Sequence, residues 1–228
     1  MKAHQIKTEE LKNAIERFHK QTKAEQRYAS YDFCYGYFQT HRDNLLDNLE
    51  LSCLHLWGYL ASWGMLRGSS ELLQCSPAAL KNLITYFDSI RNSSIWDIDV
   101  DVYPQNLDII LNVYADISKI LEDRLYVTPS KTLVTKIMLG VFGCIPAFDT
   151  YFTDTFHKLY KGFYKCEKKE LCYIEDFYRK HQYIIDNMNI PVIDFNGRMT
   201  EIKYTKAKLI DMFGFTIGYE AAKKNNAK

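Results

Sequence analysis

Apolar residues recur at helical spacing along most of this chain, and this periodicity constrains the fold more than any other feature. Between residues 105 and 124 they stand three or four positions apart, at Leu107, Ile110, Leu111, Tyr114, Ile117 and Leu121. That spacing places them on one face of an amphipathic helix. The chain holds only 10 Gly and 5 Pro, which argues against a turn-rich β architecture. We therefore predict an all-α, multi-helix fold.

Other segments extend the helical prediction, with one exception. The expected helical ranges are 8–41 with Thr8 as a cap, 51–66, 77–90, 129–142, 146–164, 168–188 and 205–222. The exception is a β-like patch near 191–204, where Asn196-Gly197 between alternating segments is a hairpin signal. The acidic, non-periodic connector at 91–106 favours two helical lobes, 1–100 and 101–228, and a single compact domain is the alternative.

The cysteines and the absence of long apolar runs bear on the compartment. The six cysteines form no C-x-x-C pair, and most of them lie inside apolar helical patterns. No signal peptide and no apolar run of about 18 residues is present. We predict a cytoplasmic protein with reduced, mostly buried thiols and no membrane association. No metal-ligand spacing occurs, so no metal and no cofactor is expected.

Charge is distributed unevenly along the chain. Residues 1–124 carry 13 basic and 17 acidic side chains, whereas residues 125–228 carry 16 and 11. A polyanion would therefore meet the second half, because clustered positive charge attracts phosphate whatever the global balance. The alternative is an uneven but merely solvated surface.

The stretch "LYVTPSKTLVTKIMLGVFGCIPAFDTYF", residues 125–152, resembles the second half of the helix-hairpin-helix DNA glycosylases. That family has a leucine, a glycine-containing hairpin, Lys-Thr, a helix leaving through Phe-Gly, a proline and Asp-Thr-His. The matching positions here are Leu125, Lys131-Thr132, Phe142-Gly143, Pro146 and Asp149-Thr150. Lys131 and Asp149 stand 18 positions apart, which is the family spacing, although Phe-Gly is displaced by one residue. The resemblance covers about 28 of 228 residues.

The stretch departs from the family pattern in three places. Val127 and Pro129 occupy the positions of the hairpin glycines, whose N–H groups face a DNA phosphate in the family. Tyr151 replaces the histidine after Asp-Thr. The cysteine set that binds an iron–sulfur cluster in some members is absent, leaving Cys166 and Cys172.

The resemblance implies a divergent N-glycosylase or abasic-site lyase that acts on double-stranded DNA. Asp149 would be the carboxylate beside the sugar, and Lys131 the amine that attacks the sugar carbon in bifunctional members. Nucleic-acid contacts would come from Thr128, Ser130, Lys136, Lys158, Lys161, Lys165, Arg179 and Lys180. The alternative is a non-enzymatic helical interaction or scaffold protein. In that case Asp149 is only an acid at a helix start, where it complements the helix dipole.

Three further features carry weaker signals. The segment "WGYLASWGMLRGSS", residues 57–70, resembles a segment of uncharacterised bacterial proteins, which implies no function. It could be an anion-contacting turn through Arg67, Ser69 and Ser70, or a close-packed core helix followed by a cap. Tyr151 is a further candidate because it follows the Asp-Thr pair. Alternation places Asp97, Asp99 and Asp101 on one side of a strand, where a divalent ion is the functional interpretation and solvated acids are the structural one.

Overall fold

The computed structural model of the chain describes residues 6, 8–67 and 71–226, with the side chains of residues 71 and 226 excepted. In this part of the chain it has nine α-helices and one small antiparallel sheet, so the all-α prediction with a single hairpin is confirmed. The helices are α1 (Thr8–His19), α2 (Ser30–His41), α3 (Leu49–Ser62), α4 (Lys81–Ser89), α5 (Tyr103–Leu125), α6 (Lys131–Phe142), α7 (Thr150–Leu159), α8 (Lys168–Asn187) and α9 (Lys206–Asn226). The strands are β1 (Pro191–Ile193) and β2 (Met199–Lys203).

The hairpin forms where the Asn-Gly signal predicted it. Gly197 takes a positive φ of 79° in the turn, a backbone conformation that glycine adopts without a steric penalty. Asp194 supports the turn, because its carboxylate accepts the backbone N–H groups of Asn196 and Arg198 at 2.8 and 2.9 Å. The hairpin also docks on α2, where Asp32 accepts the Ile193 N–H at 3.0 Å.

Several helix boundaries differ from the predicted ones. The range 8–41 is not one helix, because α1 ends at His19 and α2 begins at Ser30. The Thr22 hydroxyl donates to the His19 carbonyl at 2.7 Å, and that bond stabilises the end of α1. The predicted helix 146–164 is shorter, since it begins only at Thr150 and ends at Leu159. Asp149 is extended, with φ −76° and ψ 175°, and its side chain caps the first turn.

Helix α6 is the centre of the core. Every residue from Leu133 to Phe142 is buried, and the helix packs against α2, α3 and α5. Most of these residues are apolar for this reason, and Thr135 and Lys136 are the polar exceptions. Helices from before and after residue 100 contact each other, since α2 packs on α6 and α1 packs on α9. The division into lobes at residue 100 stays a prediction.

Helices α7 and α9 approach each other closely at two glycines of α9. A Cβ at Gly214 would lie 2.4 Å from the Phe152 ring, and one at Gly218 would lie 2.2 Å from the Tyr151 carbonyl oxygen. Neither contact is sterically possible, so both positions require glycine. This packing places the start of α7, and with it Asp149, against the middle of α9.

Most of the cysteines are buried in the structure. Four cysteines are buried, namely Cys34, Cys53, Cys144 and Cys166, as the prediction of mostly buried thiols requires. None of the described helices combines the length and the apolar character needed to cross a membrane.

Candidate functional site

A cleft of about 640 Å³ opens where the N-terminal ends of α6 and α7 meet the C-terminal end of α3 and the middle of α9. This volume lies within the usual range of ligand pockets, about 300–1,000 Å³. Its lining combines aromatic rings, cations and one carboxylate, that of Asp149, among the residues that the structure describes. The rings belong to Tyr28, Trp63, Tyr151, Phe215 and Tyr219, and the cations are Arg27, Arg67 and Lys136.

The aromatic side of the cleft is a continuous set of contacting rings. The Tyr28 and Trp63 centroids are 5.0 Å apart, and the Trp63 and Phe215 centroids are 5.8 Å apart. Tyr151 meets the Phe215 ring edge-on at 5.4 Å, and Tyr219 stacks on Phe215 at 5.9 Å. Rings that pack on one another at such distances are held in fixed orientations. The cleft therefore has a preformed aromatic wall.

Asp149 lies at the first turn of α7 and is 9% exposed. Its Oδ1 accepts the Phe152 N–H at 2.9 Å, so it is the N-cap of α7, at the helix start where the structural interpretation places an acid that complements the helix dipole. It also lines the cleft, and the two roles coexist. Burial raises the pKa of its carboxyl group, the Lys136 ammonium opposes this shift, and the Asp211 carboxylate adds to it.

The loop that carries Asp149 is fixed from two helices. On the α6 side, the Thr132 hydroxyl donates to the Phe148 carbonyl at 2.9 Å, and the Thr135 hydroxyl accepts the Phe148 N–H at 2.8 Å. On the α9 side, the Asp211 carboxylate accepts the Ala147 N–H at 3.1 Å. These three bonds restrain the backbone immediately before Asp149.

Lys136 is the lysine that reaches the cleft. It is 4% exposed, and its ammonium donates to the Trp63 carbonyl at 2.8 Å. Burial lowers the pKa of this amine, and the Asp149 carboxylate acts in the opposite direction. Thr132, Leu133 and Lys136 all line the cleft, as positions i, i+1 and i+4 on one helix face do. The sequence prediction for Lys136 was a nucleic-acid contact, and its place in the cleft is compatible with that role.

Lys131 lies elsewhere. Its ammonium donates to the Tyr164 carbonyl and, at 3.5 Å, to the Thr153 hydroxyl. It is not among the residues that line the cleft. The structure therefore does not bring Lys131 and Asp149 together in one cleft. The role of Lys131 as a reacting amine stays a prediction that its placement does not favour.

Four other predicted residues line the cleft: Thr128, Ser130, Arg67 and Tyr151. The Thr128 hydroxyl donates to the Glu122 carboxylate at 2.8 Å, and Ser130 caps α6 by accepting the Leu133 N–H at 3.2 Å. Arg67 donates through Nε to the Gly64 carbonyl at 2.8 Å. Ser69 and Ser70 lie outside the described residues.

The predicted basic surface residues divide into two groups. Lys158, Lys161 and Lys165 are exposed on the end of α7 and the loop after it, and Lys165 pairs with Glu167 at 3.3 Å. Arg179 and Lys180 lie on α8, where each pairs with an acid one turn earlier. Exposed pairs of this kind contribute little to stability, and none of these five residues lines the cleft.

The three aspartates of the connector contact cations and backbone N–H groups. Asp97 lies 3.6 Å from Arg42, Asp101 lies 3.2 Å from Lys206, and Asp99 accepts the backbone N–H groups at the start of α9. Among the described residues, no group of three or more His, Cys, Asp or Glu side chains is placed to hold a metal ion.

The sequence interpretation missed several residues of the site. Arg27, Tyr28, Trp63, Phe215 and Tyr219 come from three distant parts of the chain, and only their convergence makes them a wall. Two features of the sequence of α9 pointed to an unusual environment for this helix. Asp211 is an acid inside the apolar run "LIDMFGF", and the pair Gly214 and Gly218 has the spacing of a close helix contact.

Comparison of the chain with protein-family models, with curated proteins and with solved structures finds no match.

Proposed function

We propose that this chain binds double-stranded DNA and receives one extruded nucleotide in the cleft, as a divergent N-glycosylase of the helix-hairpin-helix type. The observation that carries the proposal is the composition of the cleft lining, which joins five aromatic rings, three cations and the Asp149 carboxylate. A nucleotide offers the matching groups: a flat base, a sugar that becomes positively charged as the base leaves, and a phosphate.

The aromatic wall supports the base-binding part of the proposal. Enzymes that act on a base in a duplex extrude it and read it in a pocket by stacking and hydrogen bonds. Stacking on an aromatic ring contributes about 1–3 kcal/mol per base. Because Tyr28, Trp63 and Phe215 are already in contact, little side-chain ordering remains to be done when a base binds.

The cations at the rim support the phosphate-binding part. Arg27 and Arg67 are exposed residues of the cleft lining, and the Nε of Arg67 is anchored to a backbone carbonyl. An anchored guanidinium presents its remaining N–H groups to a phosphate in a fixed geometry. Thr128 and Ser130 lie on the same lining, beside the N-terminal end of α6, where backbone N–H groups favour an anion.

Asp149 supplies the chemistry in this proposal. As the bond between the sugar carbon C1′ and the base nitrogen breaks, the bonding electrons leave with the base and positive charge develops on the sugar. A fixed carboxylate stabilises that charge. A water oxygen then bonds to C1′, and its proton passes to Asp149. The Lys131 ammonium is bonded outside the cleft, which favours hydrolysis by water over attack by this amine.

The test is a substitution that removes the charge of Asp149 and keeps its cap. Asparagine caps helices as well as aspartate does, so Asp149→Asn should fold normally. We expect base release from duplexes that each carry one modified base to fall by about 100- to 1,000-fold, with duplex affinity unchanged. The modified bases to test are methylated purines, oxidised purines, oxidised pyrimidines and uracil.

Asp154→Asn is the matched control, because Asp154 is an exposed acid on the same helix. This variant should retain the wild-type rate. The proposal fails if the wild-type protein binds none of the duplexes, and the non-enzymatic scaffold interpretation then takes its place. Equal rates for Asp149→Asn and the wild type would remove Asp149 from the reaction.

A further inference from the structure

The outward side of α3 is apolar along most of the helix. Leu51, Leu54, Gly58 and Ala61 stand three or four positions apart, so they share one face, and all four are exposed. Each of the two leucines is 45% exposed. No Asp, Glu, Lys or Arg occurs between Leu51 and Leu66. A helix that is apolar on its inner and outer sides is normally covered on both. We call these four residues the α3 face.

Gly58 is not required by any contact within the chain. A Cβ at this position would meet nothing within 4 Å outside its own helix, and the φ of Gly58 is not positive. A glycine inside a helix destabilises that helix relative to alanine. In α9, by contrast, Gly214 and Gly218 are needed because α7 approaches them closely. The open space at Gly58 therefore fits a helix that comes from outside the chain.

Side-chain size reverses along the α3 face, about a point at the height of Leu56 on the helix axis. Leu51 and Ala61 stand five positions from Leu56 on opposite sides, and Leu54 and Gly58 stand two positions from it. An antiparallel copy of α3, related by a two-fold axis at this point, sets each leucine opposite a small residue of the partner. A parallel copy sets leucine against leucine and glycine against glycine. The α3 face is thus self-complementary in the way that a two-fold interface requires.

Charge reverses about the same point. Asp47 and Glu50 are exposed, one before α3 and one in its first turn. Arg27 and Arg67 are exposed at the opposite end of α3, where the Nε of Arg27 donates to the Ser62 carbonyl. An antiparallel partner brings the acids of one copy to the arginines of the other, whereas a parallel partner brings like charges together. Charge complementarity of this kind fixes the orientation of two partners.

We infer that the α3 face is a self-association surface, on which α3 of a second copy of this chain packs antiparallel about a two-fold axis. The inference goes beyond the proposed function and does not depend on it. The apolar residues form the centre of the interface, and their removal from water drives the association. At the rim, the Glu50 carboxylate of each copy pairs with the Arg27 guanidinium of the other. Arg27 and Arg67 also line the cleft, so in the dimer these cations face the partner's acids.

The test measures the mass of the protein in solution by sedimentation velocity over a series of concentrations. We expect the wild type to change from one chain to two as its concentration rises. Leu54→Glu places a charge against Gly58 of the partner and should raise the dimer Kd at least about 30-fold. Tyr183→Glu is the matched control, because it adds the same charge to a residue of α8 that is 84% exposed, and it should leave the Kd unchanged.

An exchange of charges tests the antiparallel arrangement. Glu50→Arg sets two pairs of like charges together in each dimer, so the Kd should rise about 10-fold. Arg27→Glu should have the same effect. The double variant, Glu50→Arg with Arg27→Glu, should restore the wild-type Kd because both pairs form again with their signs exchanged. A double variant that associates as weakly as the single ones overturns this arrangement.

Gly58→Ala separates association from stability. In the Leu54→Glu chain, which we expect to be monomeric, Gly58→Ala should raise the unfolding temperature by about 1–4 °C, because the space at this position is open. In the otherwise wild-type chain it should raise the dimer Kd about 10-fold, since the added methyl group meets Leu54 of the partner.

Three results would overturn the inference. The first is a wild type that stays monomeric at every concentration, and the second is a folded Leu54→Glu variant that associates as the wild type does. The third is a monomeric wild type that binds phosphatidylcholine vesicles and loses this binding in Leu54→Glu, which would assign the α3 face to a lipid surface.

Discussion

Two buried lysine–aspartate pairs lie beside Trp63, and they differ in what their charges contact. In the closed pair, the Lys208 ammonium donates to the Asp211 carboxylate at 2.9 Å, with the side chains 1% and 5% exposed. In the open pair, Lys136 and Asp149 both line the cleft, and each bonds a backbone group. The closed pair is enclosed in protein, whereas the open pair faces a space that a ligand can fill.

The surroundings of the closed pair leave no room for a ligand. The Lys208 ammonium lies 4.3 Å from the Tyr31 ring centroid and 4.9 Å from the Phe18 and Trp63 centroids. Its partner Asp211 also accepts the Ala147 N–H. A buried charge is tolerated when it is paired and hydrogen-bonded, and this pair meets that condition. The same two residue types thus form a structural brace in one place and line a cleft that a ligand can fill in the other.

The largest expected effect comes from opening the closed pair. Asp211→Asn keeps an oxygen for the Ala147 N–H but leaves the buried Lys208 ammonium without the carboxylate to which it is hydrogen-bonded. Removing one partner of a buried pair costs about 3–5 kcal/mol. We expect the free energy of unfolding, measured with urea, to fall by this amount.

Two further variants serve as controls, one that removes both charges of the closed pair and one that breaks an exposed ion pair. Lys208→Met combined with Asp211→Asn removes both charges and should recover most of the lost stability, since the three rings suit an apolar side chain. Glu16→Gln breaks an exposed pair with Lys12 at 3.9 Å and should cost no more than about 0.5 kcal/mol. A loss of less than about 1 kcal/mol for Asp211→Asn would contradict the assignment of the closed pair as a brace.

For the open pair, we expect a substitution to change the pH dependence of the reaction rather than the stability of the fold. Burial already places the pKa of Asp149 above its ordinary value, and the Lys136 charge opposes that rise. Lys136→Gln removes the opposing charge and keeps a donor for the Trp63 carbonyl, so the pKa of Asp149 rises further. A carboxylate that reacts in its ionised form works only above its pKa. The acidic limb of kcat/KM against pH should therefore move to higher pH.

The measurement for this prediction is the pH profile of base release by the wild type and Lys136→Gln. An acidic limb that stays in place, in a folded variant, would show that Lys136 does not tune Asp149. A limb that moves to lower pH would contradict the sign of the interaction.

The smallest effect on base release is expected at Lys131. Its bonds to Tyr164 and Thr153 lie away from the cleft, so Lys131→Ala should lose about 1 kcal/mol of stability, as for one or two ordinary hydrogen bonds. The rate of base release should not change. Borohydride treatment on a duplex with an abasic site should trap no covalent adduct through this residue. A wild-type adduct that disappears in Lys131→Ala would assign the amine to Lys131, as the family resemblance implies.

The sequence alone could not show which lysine of α6, Lys131 or Lys136, lies in the cleft. The 18-residue interval between Lys131 and Asp149 made Lys131 the candidate amine. An interval along the chain does not, however, show which side of α6 faces the cleft. Lys136 stands inside the apolar run "LVTKIMLGVF", which is typical of a buried helix. The packing of α6 among its neighbours brings the Lys136 ammonium to the Trp63 carbonyl and places Lys136 in the same cleft as Asp149.

Features that depend on neighbours along the chain could be predicted from the order of the residues. The helical class and the Asn-Gly hairpin follow from periodicity and turn chemistry, and the sequence also places Asp149 at a helix start. The cleft, in contrast, exists only because distant parts of the chain pack together. Its wall joins residues near positions 28, 63, 151 and 215, and α7 reaches α9 only because Gly214 and Gly218 lack side chains. Local rules set which residues are helical, but contacts across more than 60 positions depend on how the helices pack, and that information is spread over the whole chain.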